Sequence, residues 1–265
     1  MVHFYPSIDE NHIEFINAQP LFFVASAPLA GRHINLSPKG HPARSFAILD
    51  ANTVAYLDAT GSGCETISHV YENGRSTVMF CSFGASPKIM RLFCSGRVVE
   101  KEDKGFHELK VRMGSNVGIT GYRAIILLHV FEVQTSCGFA VPVFGHTDLE
   151  IGSEVGNVRT LEAGQHFSNR DTLDTWASKM SKKNALLGYQ RNMNFRSLDG
   201  LTGMRSARRA RGQWMIAEDA KAWSRRVGHQ WDAVLTGVVL TLIAMASLHC
   251  SGLLTVETAF WSHRQ

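Results

Sequence analysis

A mainly β fold, an antiparallel barrel with peripheral helices, is what this chain of 265 residues predicts, and three observations lead to it. Seven short segments rich in Val, Ile, Phe and Tyr follow one another closely between residues 21 and 133, punctuated by Gly, Pro, Asn or Asp. Only two helical insertions lie among them, too few for the regular crossovers that parallel strands require, so the sheet is mainly antiparallel. No internal repeat at a fixed period is visible, which excludes solenoids and propellers.

Asp9 to Gln19 carries apolar residues at Ile13 and Ile16 and predicts a short amphipathic helix ahead of the first strand. The strands follow at Leu21 to Ser26, His33 to Leu36, Ser45 to Leu49, Thr53 to Leu57, Ser76 to Cys81, Ile89 to Val99 and Arg123 to Val133. The helical insertions are Glu65 to Asn73 and Lys104 to Met113. Gly145 to Ser168 is polar, glycine-bearing and aperiodic, so it reads as a long loop, with disorder expected. Thr172 to Leu187 regains helical spacing through Leu173, Trp176, Met180 and Leu187. Ala233 to Val256 contains no Asp, Glu, Lys or Arg over 24 residues, enough to cross a bilayer, since roughly 20 apolar residues suffice. A buried or interfacial helix is the alternative. Arg225 and Arg226 precede this segment, so the positive-inside rule leaves the N-terminal bulk in the cytosol.

At 45% hydrophobic residues the chain can bury one substantial core. Its five cysteines are odd in number, widely spaced and without a Cys-x-x-Cys pair, which argues against both a disulfide framework and a zinc site and fits a reducing compartment. Met1 to Ile16 lacks the layout of a secretory signal, so a cytoplasmic location is expected, with membrane anchoring through the C-terminal apolar segment as a variant of it. The net charge of +4 is uneven: Arg170 to Gln230 holds 13 Lys+Arg against 5 Asp+Glu, the remainder 14 against 18. Arg205, Arg208, Arg209 and Arg211 form a basic cluster, read as a solvated face or linker, with no nucleic-acid partner expected.

Chemistry concentrates between His33 and Thr66. Asn35-Leu36-Ser37-Pro38-Lys39-Gly40 and Thr60-Gly61-Ser62-Gly63-Cys64-Glu65-Thr66 flank the strand-like Thr53 to Leu57, and the second group opens the helix from Glu65. A hydroxyl, a lysine ammonium and the unpaired N–H groups of a glycine-rich helix start all favour a dianion such as phosphate. No Gly-x-Ser-x-Gly elbow, His-Glu-x-x-His helix or Gly-x-Gly-x-x-Gly turn occurs, and the twelve histidines lack ligand spacing. No catalytic residue and no metal site is therefore assigned.

Several words of residues 19 to 144 resemble the pyridoxamine 5′-phosphate oxidase-like, FMN-binding split-barrel family, in a branch found in fungi and bacteria. They are Gln19-Pro20-Leu21-Phe22-Phe23-Val24-Ala25, the Asn35 to Gly40 run, Val54-Ala55-Tyr56-Leu57-Asp58, Thr60-Gly61-Ser62-Gly63 with Glu65-Thr66, and Ser136-Cys137-Gly138 before Val141-Pro142. Arg170-Asp171-Thr172-Leu173-Asp174-Thr175-Trp176-Ala177 and Ser197-Leu198-Asp199-Gly200-Leu201 resemble the same branch's C-terminal helix and closing motif. The resemblance implies a six-stranded antiparallel split β-barrel with a C-terminal helical extension, which dimerises with FMN in a groove between subunits.

On that resemblance the cofactor's contacts fall on Asn35, Ser37, Lys39, Tyr56, Leu57, Thr60, Gly61, Ser62, Glu65, Thr66 and Arg91. Ser37, Lys39 and the Thr60 to Ser62 turn would hold the phosphate, Tyr56 and Leu57 would flank the flavin, and Arg91 would reach the isoalloxazine edge. Read from the residues alone, Tyr56 is equally an ordinary core aromatic and Arg91 half of an ion pair with Glu65 or Glu72. The implied organisation is an FMN-binding barrel over 1–144, an irregular insertion over 145–169, the family's helix and closing motif over 170–203, a basic linker over 204–230 and an apolar, candidate transmembrane helix over 231–256.

The function implied is that of a flavin-dependent oxidoreductase acting on a small molecule. The alternative is a non-catalytic flavin- or haem-binding module, membrane-anchored through its C-terminal segment. Cys64 stands where the branch usually has Asn, which removes an amide able to cap the helix or meet phosphate. The arginine- and histidine-bearing motif with which true pyridoxamine-phosphate oxidases hold their substrate is not recognisable, so that substrate is not expected.

Overall fold

The computed structural model describes residues 2–144, 167–168 and 170–251. Contacts divide the chain into two compact units, residues 1–175 and 176–265. The first contains β1 (His3–Tyr5), α1 (Glu10–Asn17), β2 (Leu21–Ser26), β3 (Asn35–Gly40), α2 (Pro42–Ser45), β4 (Phe46–Asp50) and β5 (Thr53–Ala59). It continues with α3 (Glu65–Asn73), β6 (Arg75–Cys81), β7 (Lys88–Glu100), α4 (Phe106–Arg112), β8 (Tyr122–Cys137), β9 (Val143–Phe144) and β10 (Phe167–Ser168). After them come α5 (Thr172–Lys182), α6 (Leu186–Met193), α7 (Arg205–Ala210), α8 (Met215–His229) and α9 (Trp231–Cys250).

The expected antiparallel split barrel is present as one curled sheet in the order β3-β2-β6-β7-β8-β5-β4, with β1 paired to β8. Its sheet has eight strands among the described residues, where six were implied. The long β7 and β8 pair over most of their length and carry the rest of the sheet, with a register shift between Phe93 and Cys94 that helps it bend. Alternation decides which residues face inward. Phe22, Val24, Tyr56, Phe80, Leu92 and Ile126 meet in a core closed by α1 and α3. The intervening residues Ala55, Leu57 and Ile125 form a second core with Leu109, Met113 and Val117 under α4. Covered on both faces, β5 and the middle of β8 read as nearly unbroken apolar runs.

Local signals set the element ends. Asp9 caps α1 through His12 N–H at 2.9 Å, and His12 returns the bond by accepting the Asp9 N–H, a reciprocal capping box. Gly74 ends α3 with φ of +70°, a left-handed position that glycine adopts without strain. Thr172 to Leu187, expected as one helix, is broken where Asn184 adopts φ of +51°, so α6 starts afresh at Leu186. Arg170 fastens the start of the C-terminal stretch by donating to Val141 O at 2.7 Å and Ala85 O at 2.9 Å, as well as to Gly84 O.

The segment expected as a basic linker, 204–230, holds α7 and α8 instead. Arg208 is 3% exposed and donates to Asp219 at 2.7 Å, while the Arg211 guanidinium lies 3.9 Å from the Phe195 ring centroid. The basic cluster is thus partly built into its unit, because an ion pair and a stacked ring take up charges that composition alone assigns to water. The closing motif is a tight loop in which Arg196 bridges Thr202 and Gly203 N–H donates to Phe195 O at 2.9 Å. Most of the long loop expected over 145–168 lies outside the described residues, as do residues 252–256 of the apolar segment.

Candidate functional site

β3 is an edge strand, which is why Pro38 can sit in it without costing a ladder hydrogen bond. Because side chains alternate, Asn35, Ser37 and Lys39 share one face of β3, and Tyr56 and Asp58 share one face of β5. The chain then turns through Gly61, Ser62 and Gly63 into α3. These pieces enclose a polar cleft of about 330 Å³ whose lining includes Asn35, Ser37, Lys39, Gly61, Ser62, Glu65 and Thr66. Seven of the eleven expected residues therefore meet in one place.

Two residues that sequence reasoning did not assign organise this cleft. Asp58, 2% exposed, accepts from Lys39 Nζ at 3.2 Å and from Arg123 Nε at 2.8 Å. Arg123 also donates to Gly63 O at 2.7 Å and so pins the glycine turn. A lone Asp ending one apolar strand and a lone Arg starting another were the available signals. Their meeting depends on the β5–β8 register, which shifts between Asp58 and Ala59.

Hydrogen bonds preset the rest. Asn35 Nδ2 donates to Thr66 Oγ1 at 2.8 Å, and Ser37 Oγ donates to Asn35 Oδ1 at 3.0 Å. Behind them the buried Ser26 Oγ lies 3.0 Å from His69 Nδ1. Glu65 folds its carboxylate back against Gly63, where a Cβ would collide with it. Cys64 occupies the N-cap of α3 without a side-chain cap bond, its Sγ lying 3.6 Å from Ser68 Oγ. The first turn of α3 is therefore uncapped, and its N–H groups carry the partial positive charge of a helix start.

Four expected residues lie outside the cleft lining. Thr60 donates through both N–H and Oγ1 to Gly121 O, at 2.8 and 2.7 Å, and acts as an anchor of the turn. Leu57 is 2% exposed in the core under α4, on the opposite face of β5 from Tyr56. Tyr56 is a fully buried core aromatic in edge contact with Phe22. Its hydroxyl lies near Thr66 without a well-formed hydrogen bond, and burial, then the Asp58 carboxylate, raises its pKa and keeps it protonated. Arg91 pairs with neither Glu65 nor Glu72 but donates to Gln134 Oε1 at 3.0 Å and Ser136 Oγ at 3.5 Å across the β7–β8 ladder.

The donor set suits an anion. Asp58 uses one of the three Lys39 donors, leaves Arg123 Nη1 free of it, and is more deeply buried than either cation. Two cations thus stand in front of a single carboxylate that compensates one of the two charges, beside an uncapped helix start. The Glu65 carboxylate opposes a dianion there, but the residue is exposed and its side chain can turn out to solvent.

No family model matches the chain. Over 242 residues it is 46% identical to the pyridoxamine 5′-phosphate oxidase family protein ustO of Aspergillus flavus, a match covering 91% of this chain and 94% of that protein. Similar solved structures include HupZ of Group A Streptococcus, with TM-score 0.37 and 23% identity over 46% of this chain and 89% of that one. The FAD binding protein of Mycobacterium smegmatis gives 0.35 and 10% over 49% and 95%. HutZ, the haem storage protein of Vibrio cholerae, gives 0.34 and 13% over 46% and 89%.

Proposed function

Since the chain belongs to the pyridoxamine 5′-phosphate oxidase family, we propose that it binds FMN and serves as a flavin-dependent oxidoreductase for a small molecule. The observation that carries this reading is the cleft in which Ser37, Lys39, Arg123 and the uncapped start of α3 converge. FMN differs from riboflavin by a phosphate, and this donor set is the kind that recognises one. The flavin supplies the hydride and electron chemistry, which accounts for the lack of a catalytic signature in the chain.

The chain's own part is to bind and orient. Lys39 and Arg123 neutralise the phosphate, Ser37 and the α3 amides direct it, and Asp58 holds both cations in position. The cleft lining is polar and without aromatic rings, so the isoalloxazine needs a further wall. A second copy of the chain supplies that wall in the proposed homodimer.

Titration of the full-length protein with FMN and riboflavin tests the assignment. Lys39→Ala lowers FMN affinity about ten- to a hundredfold and Ser37→Ala by about two- to tenfold, with riboflavin affinity unchanged. Equal affinity of the unaltered protein for FMN and riboflavin would refute the phosphate assignment. Anaerobic reduction of the bound flavin by a nicotinamide cofactor, followed by reoxidation, separates an enzyme from a binding module.

A further inference from the structure

We propose that α9 crosses a lipid bilayer and that α8 lies in the headgroup layer beside it, so that the chain is held on a membrane through residues 215–250. Every residue of α9 is exposed, and the apolar ones do not keep to a stripe: Val234, Leu235, Val239, Leu240 and Ile243 are 47% to 61% exposed around its circumference. A helix of a water-soluble unit shows one polar face, whereas a helix apolar all round is matched to lipid or to a protein interior. At 1.5 Å per residue its 20 residues span about 30 Å, the thickness of a bilayer's hydrocarbon core.

The threonine hydroxyls within the span are prepared for that solvent. Thr236 Oγ1 donates to Asp232 O at 2.9 Å and Thr241 Oγ1 to Gly237 O at 2.8 Å, each satisfied on the preceding turn without water, while Ser247 and His249 lie in the last turn and a half of the helix, towards the far interface. Asp232 lies in the first turn, at the level of the headgroups.

α8 is built differently. Ile216, Ala220, Trp223 and Val227 recur at helical spacing, and the opposite side carries Glu218, Lys221 and Arg225, with Lys221 4.0 Å from Glu218 and Arg225 donating to Gly200 O at 3.3 Å. Ile216 is 73% and Trp223 59% exposed, and Trp231 at the head of α9 is 63% exposed. Tryptophan at a helix–span junction with basic residues just before it is the pattern of a membrane–water interface facing anionic lipid. Gln230, with φ −112° and ψ 29°, interrupts the two helices and allows the direction to change there.

Flotation of the full-length protein with vesicles of phosphatidylcholine, alone or with phosphatidylserine, tests this, followed by an alkaline carbonate wash. The protein floats with both vesicles, binds the phosphatidylserine ones more tightly, and stays through the wash. Leu240→Arg, at the centre of α9 and 61% exposed among the described residues, lowers vesicle partition on the order of a hundredfold while thermal unfolding of the barrel is unchanged. Overturning results are full-length protein that remains in the dense fractions as a soluble dimer, protein that floats but is stripped by the wash, and a Leu240→Arg protein that floats as well as the parent.

Discussion

The barrel unit and the C-terminal unit treat apolar residues in opposite ways. In the first, Phe22, Val24, Leu92, Ile126 and Leu128 are all 0% exposed, because strand alternation turns each onto a face that another element covers. In the second, Ala207 and Arg208 are the buried residues among those described, and α9 exposes its whole surface. Apolar residues therefore have two fates in one chain. Where they alternate along strands, the fold itself removes them from water; where they line every side of α9, no described part of the chain does so.

The largest expected effect attacks that contrast directly. Phe22 meets Phe46, Tyr56 and Phe80 with ring centroids 5.1, 5.8 and 5.6 Å away, so Phe22→Ala costs about 3–5 kcal/mol in denaturant unfolding. Val239→Ala, a truncation on the exposed α9, changes the same measurement by no more than about 0.5 kcal/mol. Comparable losses in the two variants would break the contrast.

A smaller effect sharpens the difference between core and cleft within the barrel unit. Glu65→Gln removes the carboxylate that opposes a dianion at the start of α3 and should tighten FMN binding by about three- to tenfold, while the ligand-free protein loses no more than about 1 kcal/mol of stability with the lost helix-dipole interaction. Unaltered FMN affinity would show that Glu65 turns away from the phosphate at no cost.

The smallest effect is a pH dependence confined to the barrel unit. Burial lowers the pKa of His12 from its ordinary 6.5, with Asp9 acting in the opposite sense. The unfolded chain then takes up the proton more readily than the folded one, so the contribution is complete above about 6.5 and is lost as the pH falls through 6.5 towards the folded value. His12→Gln keeps an amide able to close the capping box with Asp9 and should flatten this part of the stability–pH profile. An unchanged slope would assign it to other groups.

Much of the barrel was legible along the chain because its strands carry their own evidence. Leu21 to Ser26 and Glu65 to Asn73 were readable to the residue, since a β-branched and aromatic run between punctuating residues, or a glycine stop, marks each end locally. The four-residue α2, with Pro42 at its start, was too short for any period to appear. α7 escaped for another reason: its one buried apolar residue is Ala207, and its stability rests on the Arg208–Asp219 pair, which has no linear signature.

The site divides in the same manner. Asn35, Ser37, Lys39, Gly61, Ser62, Glu65 and Thr66 were recognisable by residue type, because hydroxyls, amides, lysine and a glycine-led helix start have only a few common uses together. Residue type could not tell that Leu57 turns into the second core, which follows from the parity of β5, nor that Arg91 spends its donors on Gln134 and Ser136.

What the sequence determined by itself was whatever neighbours along the chain enforce: the alternation that makes strands, the glycine and capping signals that start and stop helices, and the length and apolarity of α9. What only the tertiary structure decided was whatever depends on register between distant strands. Asp58 holds Lys39 from β3 and Arg123 from β8 because the curl of the sheet and the shift beside Asp58 bring three strands to one point. A charge pair across 65 residues exists through geometry rather than spacing, because buried ions are stable only where their partners arrive at hydrogen-bonding distance.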